Sequence, residues 1–92
     1  MQPFQLINHS IDEKVFAYLM PNPVIDYLYL NTNITTGDLI IHNIGGRLLD
    51  KFKVRRAQNT INLSNYPSGV YIFTLINQYE HISLGKIVKC NE

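Results

Sequence analysis

Three histidines, one cysteine and the stretch "NHSID" hold most of what this chain could offer a reaction. In "NHSID", His9, Ser10 and Asp12 have the residue types of a base, a nucleophile and an orienting acid. Such groups normally converge from distant segments onto a water-excluding pocket, whereas these three sit side by side in a stretch without periodicity. His42 in "LIIHNI" reads as a half-buried strand histidine, and His81 as an exposed residue at a strand start. There is no His-x-x-x-His, no cysteine pair and no run of alternating carboxylates, so no metal site is assigned. Gly45 and Gly46 do not open a helix, so no phosphate cradle follows. The chain is read as non-enzymatic, with no catalytic, cofactor-binding or metal-binding residue.

Composition narrows the partners. The chain has 92 residues, enough for one hydrophobic core, and an apolar content of 46%, which suits a globular domain. A formal net charge of +1 gives no global reason to expect nucleic acid. Of the eight cations, Arg47, Lys51, Lys53, Arg55 and Arg56 crowd into residues 47–56. Only Phe52 interleaves with them, against the aromatic stacking that single-stranded nucleic acid requires. Their alternation reads as a solvated face that guards a sheet edge. The single Cys90 has no internal disulfide partner and, near the end, reads as an exposed thiol. No apolar run reaches 18 residues, so no membrane-spanning helix is expected.

The elements that must position these residues are strands. Apolar runs are short and separated every 8–12 residues by Gly, Pro, Asn or Asp, the pattern of an all-β domain. Strands are expected over residues 15–19, 24–30, 38–44, 47–54, 60–63, 70–77 and 81–89. About seven strands with short links suit an immunoglobulin-like antiparallel β-sandwich. "PNP" fixes φ at Pro21 and Pro23 and forces a corner. "NTNITTGD" (31–38) reads as a polar loop, "IGGR" as a glycine hairpin and "NQYE" as the last hairpin turn. Strand 70–77 is apolar on both faces, which implies a central strand in a covered sheet. Residues 1–13 lack pattern and read as a linker or N-terminal arm, with the folded domain over 14–92.

Four ordered stretches, "MPNPVIDYLYL", "IIHNIGGRLL", "INLSNYPSGVYIFTL" and "ISLGKIVK", together resemble the type A C-terminal sorting domain of the type IX (Por) secretion system. The resemblance covers about residues 14–90. Pro21, Asn22, Pro23 and Val24 match the family's proline corner. Gly46, with Ile41, Asn43 and Ile44, matches its "IYNxxG" hairpin. Leu63, Pro67, Gly69, Val70 and Tyr71 match "L…LPxGxYxL", and Gly85, Lys86 and Lys89 match the terminal "GKxxK". Met20, His42 and Tyr66 depart from the usual residues but keep the amphipathic pattern.

The resemblance implies an address rather than a reaction. Domains of this family, found in Bacteroidetes-type bacteria, direct cargo joined to their N-terminus from the periplasm through an outer-membrane translocon, after which a cell-surface sortase removes the domain. The cargo ends on the surface or secreted. No cargo domain precedes the sorting domain here, so the chain is read as an excised piece. Pro21, Asn22, Pro23, Gly46, Pro67, Gly69 and Tyr71 are expected to hold the fold. Tyr71 is expected to form a tyrosine corner with backbone in residues 64–68. Gly85 and the cations Lys86 and Lys89, expected to be exposed, are the candidate recognition residues. The alternative is a free-standing immunoglobulin-like binding or adhesion module of the carbohydrate-associated kind, with Tyr27, Tyr29 and Tyr79 as a candidate aromatic platform.

Overall fold

The computed structural model describes residues 14–55 and 58–91. The arm expected over residues 1–13, which includes His9, lies outside them, as does Arg56. Seven strands form two antiparallel sheets: β1 (Ala17–Met20), β2 (Tyr27–Thr32), β3 (Gly37–Asn43), β4 (Leu48–Val54), β5 (Gln58–Asn62), β6 (Gly69–Ile76) and β7 (His81–Lys89). One sheet has the order β1-β2-β5 and the other β4-β3-β6-β7, the strand distribution of an immunoglobulin-like sandwich.

Period-two alternation puts the apolar partners of both sheets inside. Leu28 and Leu30 of β2 and Ile61 of β5 face Leu39 and Ile41 of β3 and Tyr71, Phe73 and Leu75 of β6, all of them buried. The central position expected for β6 is met, since it pairs with β3 on one side and β7 on the other. Among the described residues nothing covers its second face: Val70, Ile72, Thr74 and Ile76 are half-buried by neighbouring strands. Strand β4, with exposed Lys51 and Lys53, is the sheet edge that its charge pattern implied.

Side-chain acceptors explain the turns. Asn43 Oδ1 accepts from the amides of Gly45 and Arg47 at 3.0 and 2.9 Å, and Asn77 Oδ1 accepts from Tyr79 and Glu80 at 2.8 and 2.7 Å. These are Asx-type turns, in which a short polar side chain stands in for backbone. The loop expected over 31–38 is shorter, because Asn31 and Thr32 belong to β2 and β3 already starts at Gly37. Thr32 tolerates complete burial because its Oγ1 donates to Phe16 O at 2.7 Å and accepts from Ile34 N at 3.0 Å. Strand β5 likewise begins before the expected residue 60 and ends at Asn62. Leu63 stays in the core as its amide turns to Asp26 O at 2.8 Å.

The strand expected over 24–30 is also redrawn, since β2 starts only at Tyr27. Val24 pairs instead with the far end of the other sheet. Its amide donates to Val88 O, and its carbonyl accepts from Cys90 N, both at 2.8 Å. This one parallel bridge ties the proline corner to the end of β7.

Candidate recognition surface

The residues singled out in the sequence gather in two places. The first is the junction of the proline corner with β7. The Met20–Pro21 and Asn22–Pro23 peptides are cis. Between the prolines, the Asn22 side chain reads β7 as a strand would: its Nδ2 donates to Lys86 O at 3.1 Å, and its Oδ1 accepts from Val88 N at 2.9 Å. With Val24 alongside, the corner occupies part of the edge of β7 that would otherwise stay open for pairing. Thus Asn22 meets Lys86 and Val88, and Val24 meets Lys89, across more than sixty residues of chain.

Within β7 a bulge decides which way each side chain points. Phe73 pairs with Gly85 but Thr74 with Ser83, so Leu84 is an extra residue. Gly85 has φ +88, in the left-handed region where a Cβ is strained. The extra residue reverses the alternation. His81 and Ser83 face outward before the bulge, and Lys86 and Val88 do so after it, opposite Ile72 and Val70. Ile87 and Lys89 therefore turn inward, and both are buried.

The exposure expected of Lys89 is corrected accordingly. It is 2% exposed, and its ammonium reaches back along the chain, donating to Asn91 Oδ1 at 3.0 Å and to Cys90 O at 3.4 Å. An aliphatic stem packed inside with a charged tip led toward polar groups is how lysine tolerates such a site. Only Lys86 stands exposed, as expected. Cys90, expected to be exposed, is half-buried.

The second gathering place is the loop before β6. The Tyr71 hydroxyl donates to Pro67 O at 2.6 Å, the tyrosine corner expected there. Tyr66 packs edge-on against Tyr71, with ring centroids 5.6 Å apart, and donates its hydroxyl to Asp50 Oδ2 at 3.1 Å. Burial, and then the hydrogen bond to the Asp50 carboxylate, push the Tyr66 phenol up to about 12. In the sequence Tyr66 shows only as a departure from the usual leucine, because its pairing with Asp50 on β4 arises once the strands are assembled. Gly69 and Gly46 have φ +157 and +91, consistent with turn positions that favour glycine.

The two outward faces of the sandwich differ in kind. On the four-stranded sheet, half-buried Ile40, Ile72 and Ile76 lie between exposed Lys51 and Lys53 on one edge strand and Lys86 on the other. Lys53 Nζ lies 3.5 Å from Asp38 Oδ1, an ion pair between an exposed lysine and a half-buried carboxylate whose Oδ1 is shielded from solvent. On the three-stranded sheet, Tyr18, Met20, Tyr27 and Tyr29 are 38–50% exposed. Of the expected aromatic platform, Tyr27 and Tyr29 share this face, whereas Tyr79 stands apart in the β6–β7 turn. Among the described residues no three His, Cys, Asp or Glu side chains gather as metal ligands, and no helix is long and apolar enough to cross a membrane.

A family model described as the secretion system C-terminal sorting domain matches residues 18–90. No curated protein and no solved structure matches the chain.

Proposed function

This chain belongs to the family of secretion-system C-terminal sorting domains, a signal for type IX secretion, and we propose that its signal is read from the outward face of the four-stranded sheet. Export to the cell surface or the medium follows from the family; the route is our reading. Cargo joined ahead of residue 14 travels through the periplasm with the folded sandwich. The type IX translocon docks on the face that carries Lys86, and a cell-surface sortase then cuts the linker within about residues 7–14.

The observation that carries this reading is the division of the terminal element. Gly85 forms the bulge, Lys89 is drawn inside, and Lys86 is the cation left outward, beside aliphatic Ile72. An apolar centre with a polar rim is the anatomy of a docking patch, and rim cations mostly govern encounter and specificity. Pro21, Asn22, Pro23, Gly46, Pro67, Gly69 and Tyr71 then serve by holding this face in shape.

The test fuses the chain behind a periplasmic reporter and follows the reporter in strains with and without the type IX machinery. Surface or extracellular reporter is expected only where the machinery is present. Equal localisation in both strains would overturn the assignment and favour a free-standing binding module.

A further inference from the structure

The outward face of the three-stranded sheet carries a row of exposed side chains to which the proposed docking assigns no role. Antiparallel register places its outward side chains in rows: Tyr18 beside Asn31 and Gln58, Met20 beside Tyr29 and Thr60, and Tyr27 beside Asn62. Tyr27 and Tyr29 are two residues apart on one strand, so their side chains emerge about 7 Å apart along it. Tyr18 lies diagonally across on β1. Phe16 continues the line, stacked on Tyr18 with ring centroids 6.3 Å apart and planes inclined by 30°. Four aromatic rings thus cross the face as a stripe, flanked by Asn31, Gln58, Thr60 and Asn62.

None of these eight strand positions holds Asp, Glu, His, Lys or Arg. The strand lysines, Lys51, Lys53, Lys86 and the buried Lys89, all belong to the opposite sheet, and Lys14 lies two residues ahead of Phe16, beyond the end of the stripe. That charge pattern selects the occupant. An acidic polymer or nucleic acid gains nothing from an uncharged surface, and an amphipathic helix needs an aliphatic groove, for which Met20 alone is too little. A neutral sugar chain matches both halves of the face. Its C–H faces pack on aromatic rings, while its hydroxyls both donate and accept, as the amides, the threonine and the tyrosine hydroxyls do. Tyrosine and asparagine together supply rigid contact area and adaptable hydrogen bonding at low entropic cost. Among the described residues, no hydrogen bond within the chain uses the Tyr18, Tyr27 or Tyr29 hydroxyl.

We infer that this face binds a neutral, extended oligosaccharide laid along the stripe from Tyr27 to Phe16. The site is independent of the face assigned to the translocon, so either assignment can fail without the other.

The experiment titrates the full 92-residue chain with cellohexaose, a neutral and extended probe, and follows backbone amide shifts by NMR. Shifts are expected on β1, β2 and β5, unchanged between low and high salt because no charge is involved. Replacing Tyr27 and Tyr29 together by Ala should weaken binding about tenfold or more, with Lys86→Gln leaving it unchanged. If the double variant does not fold, Tyr18→Ala with Thr60→Val takes its place, with the same loss expected. No shift up to the solubility of the sugar, shifts confined to the four-stranded sheet, or tighter binding of an acidic hexagalacturonate would overturn the inference. So would a dimer formed through this face that cellohexaose fails to displace.

Discussion

On the three-stranded sheet the outward positions hold tyrosine, methionine, amides and threonine; on the four-stranded sheet Ile40, Ile72, Ile76 and Val70 lie among Asp38, His42 and Thr74, bordered by Lys51, Lys53 and Lys86. The inward faces of both sheets are alike, since Leu28, Leu30 and Ile61 meet Leu39, Ile41, Phe73 and Leu75 in one core. Folding constrains only the inward set, because burying apolar area is what offsets the entropy of ordering the chain. The outward sets are free to differ. Two faces so unlike in charge and shape suit different partners, which is why docking is assigned to the cationic face and a neutral ligand to the aromatic one.

Lysines 86 and 89 give the largest contrast. Lys89→Ala removes a buried stem and should cost about 2 kcal/mol in denaturant unfolding. Lys86→Ala, on the surface, should stay within about 0.5 kcal/mol. Equal costs would mean that the inward and outward assignments of β7 are wrong.

Next comes the clamp between the corner and β7. Asn22→Ala deletes two hydrogen bonds to the β7 backbone and should destabilise by about 1–2 kcal/mol. Amide hydrogen exchange should rise at Val88, on the cationic sheet, more than anywhere on β5. Gly85→Ala should cost about 1 kcal/mol, all of it conformational, because a Cβ there meets nothing within 4 Å. Its amide shift changes should centre on Ser83 to Lys86 and spare the aromatic face.

The smallest effect appears only in alkali. Tyr66 titrates near 12 in the folded chain against an ordinary 10.0. A raised folded value means that its contribution to stability is complete below about pH 10 and is lost as pH rises from 10 toward 12. Tyr66→Phe should flatten that part of the stability profile, measured by urea unfolding at stepped pH.

Much of the frame was legible in the sequence, because turn chemistry is local. "PNP", "IGGR" and "NQYE" mark corners through the φ limits of proline, the freedom of glycine and the acceptor of asparagine, and Tyr71 declares its corner by standing at a strand start behind a proline loop. What was not legible depends on register. Simple alternation leaves Lys86 and Lys89 on opposite faces, but only the bulge at Leu84–Gly85 decides which of them faces the core. Val24 looks like a strand residue but forms only an isolated bridge, to Lys89 rather than to a neighbour within its own sheet. The uncharged stripe escaped for the same reason: Tyr18 joins Tyr27 and Tyr29 only through the pairing of β1 with β2, while Tyr79, which looked equivalent, belongs to a distant turn.

We propose that the translocon reads the cationic face of the folded sandwich. The most direct test of this reverses Lys51, Lys53 and Lys86 together to Glu in a chain fused to a periplasmic reporter, with folding checked by urea unfolding. The charge-reversed domain should stay folded, at a cost of about 1–3 kcal/mol because Lys53→Glu faces the Asp38 carboxylate, and surface export should fall about tenfold or more. Undiminished export from the folded charge-reversed domain would contradict that reading.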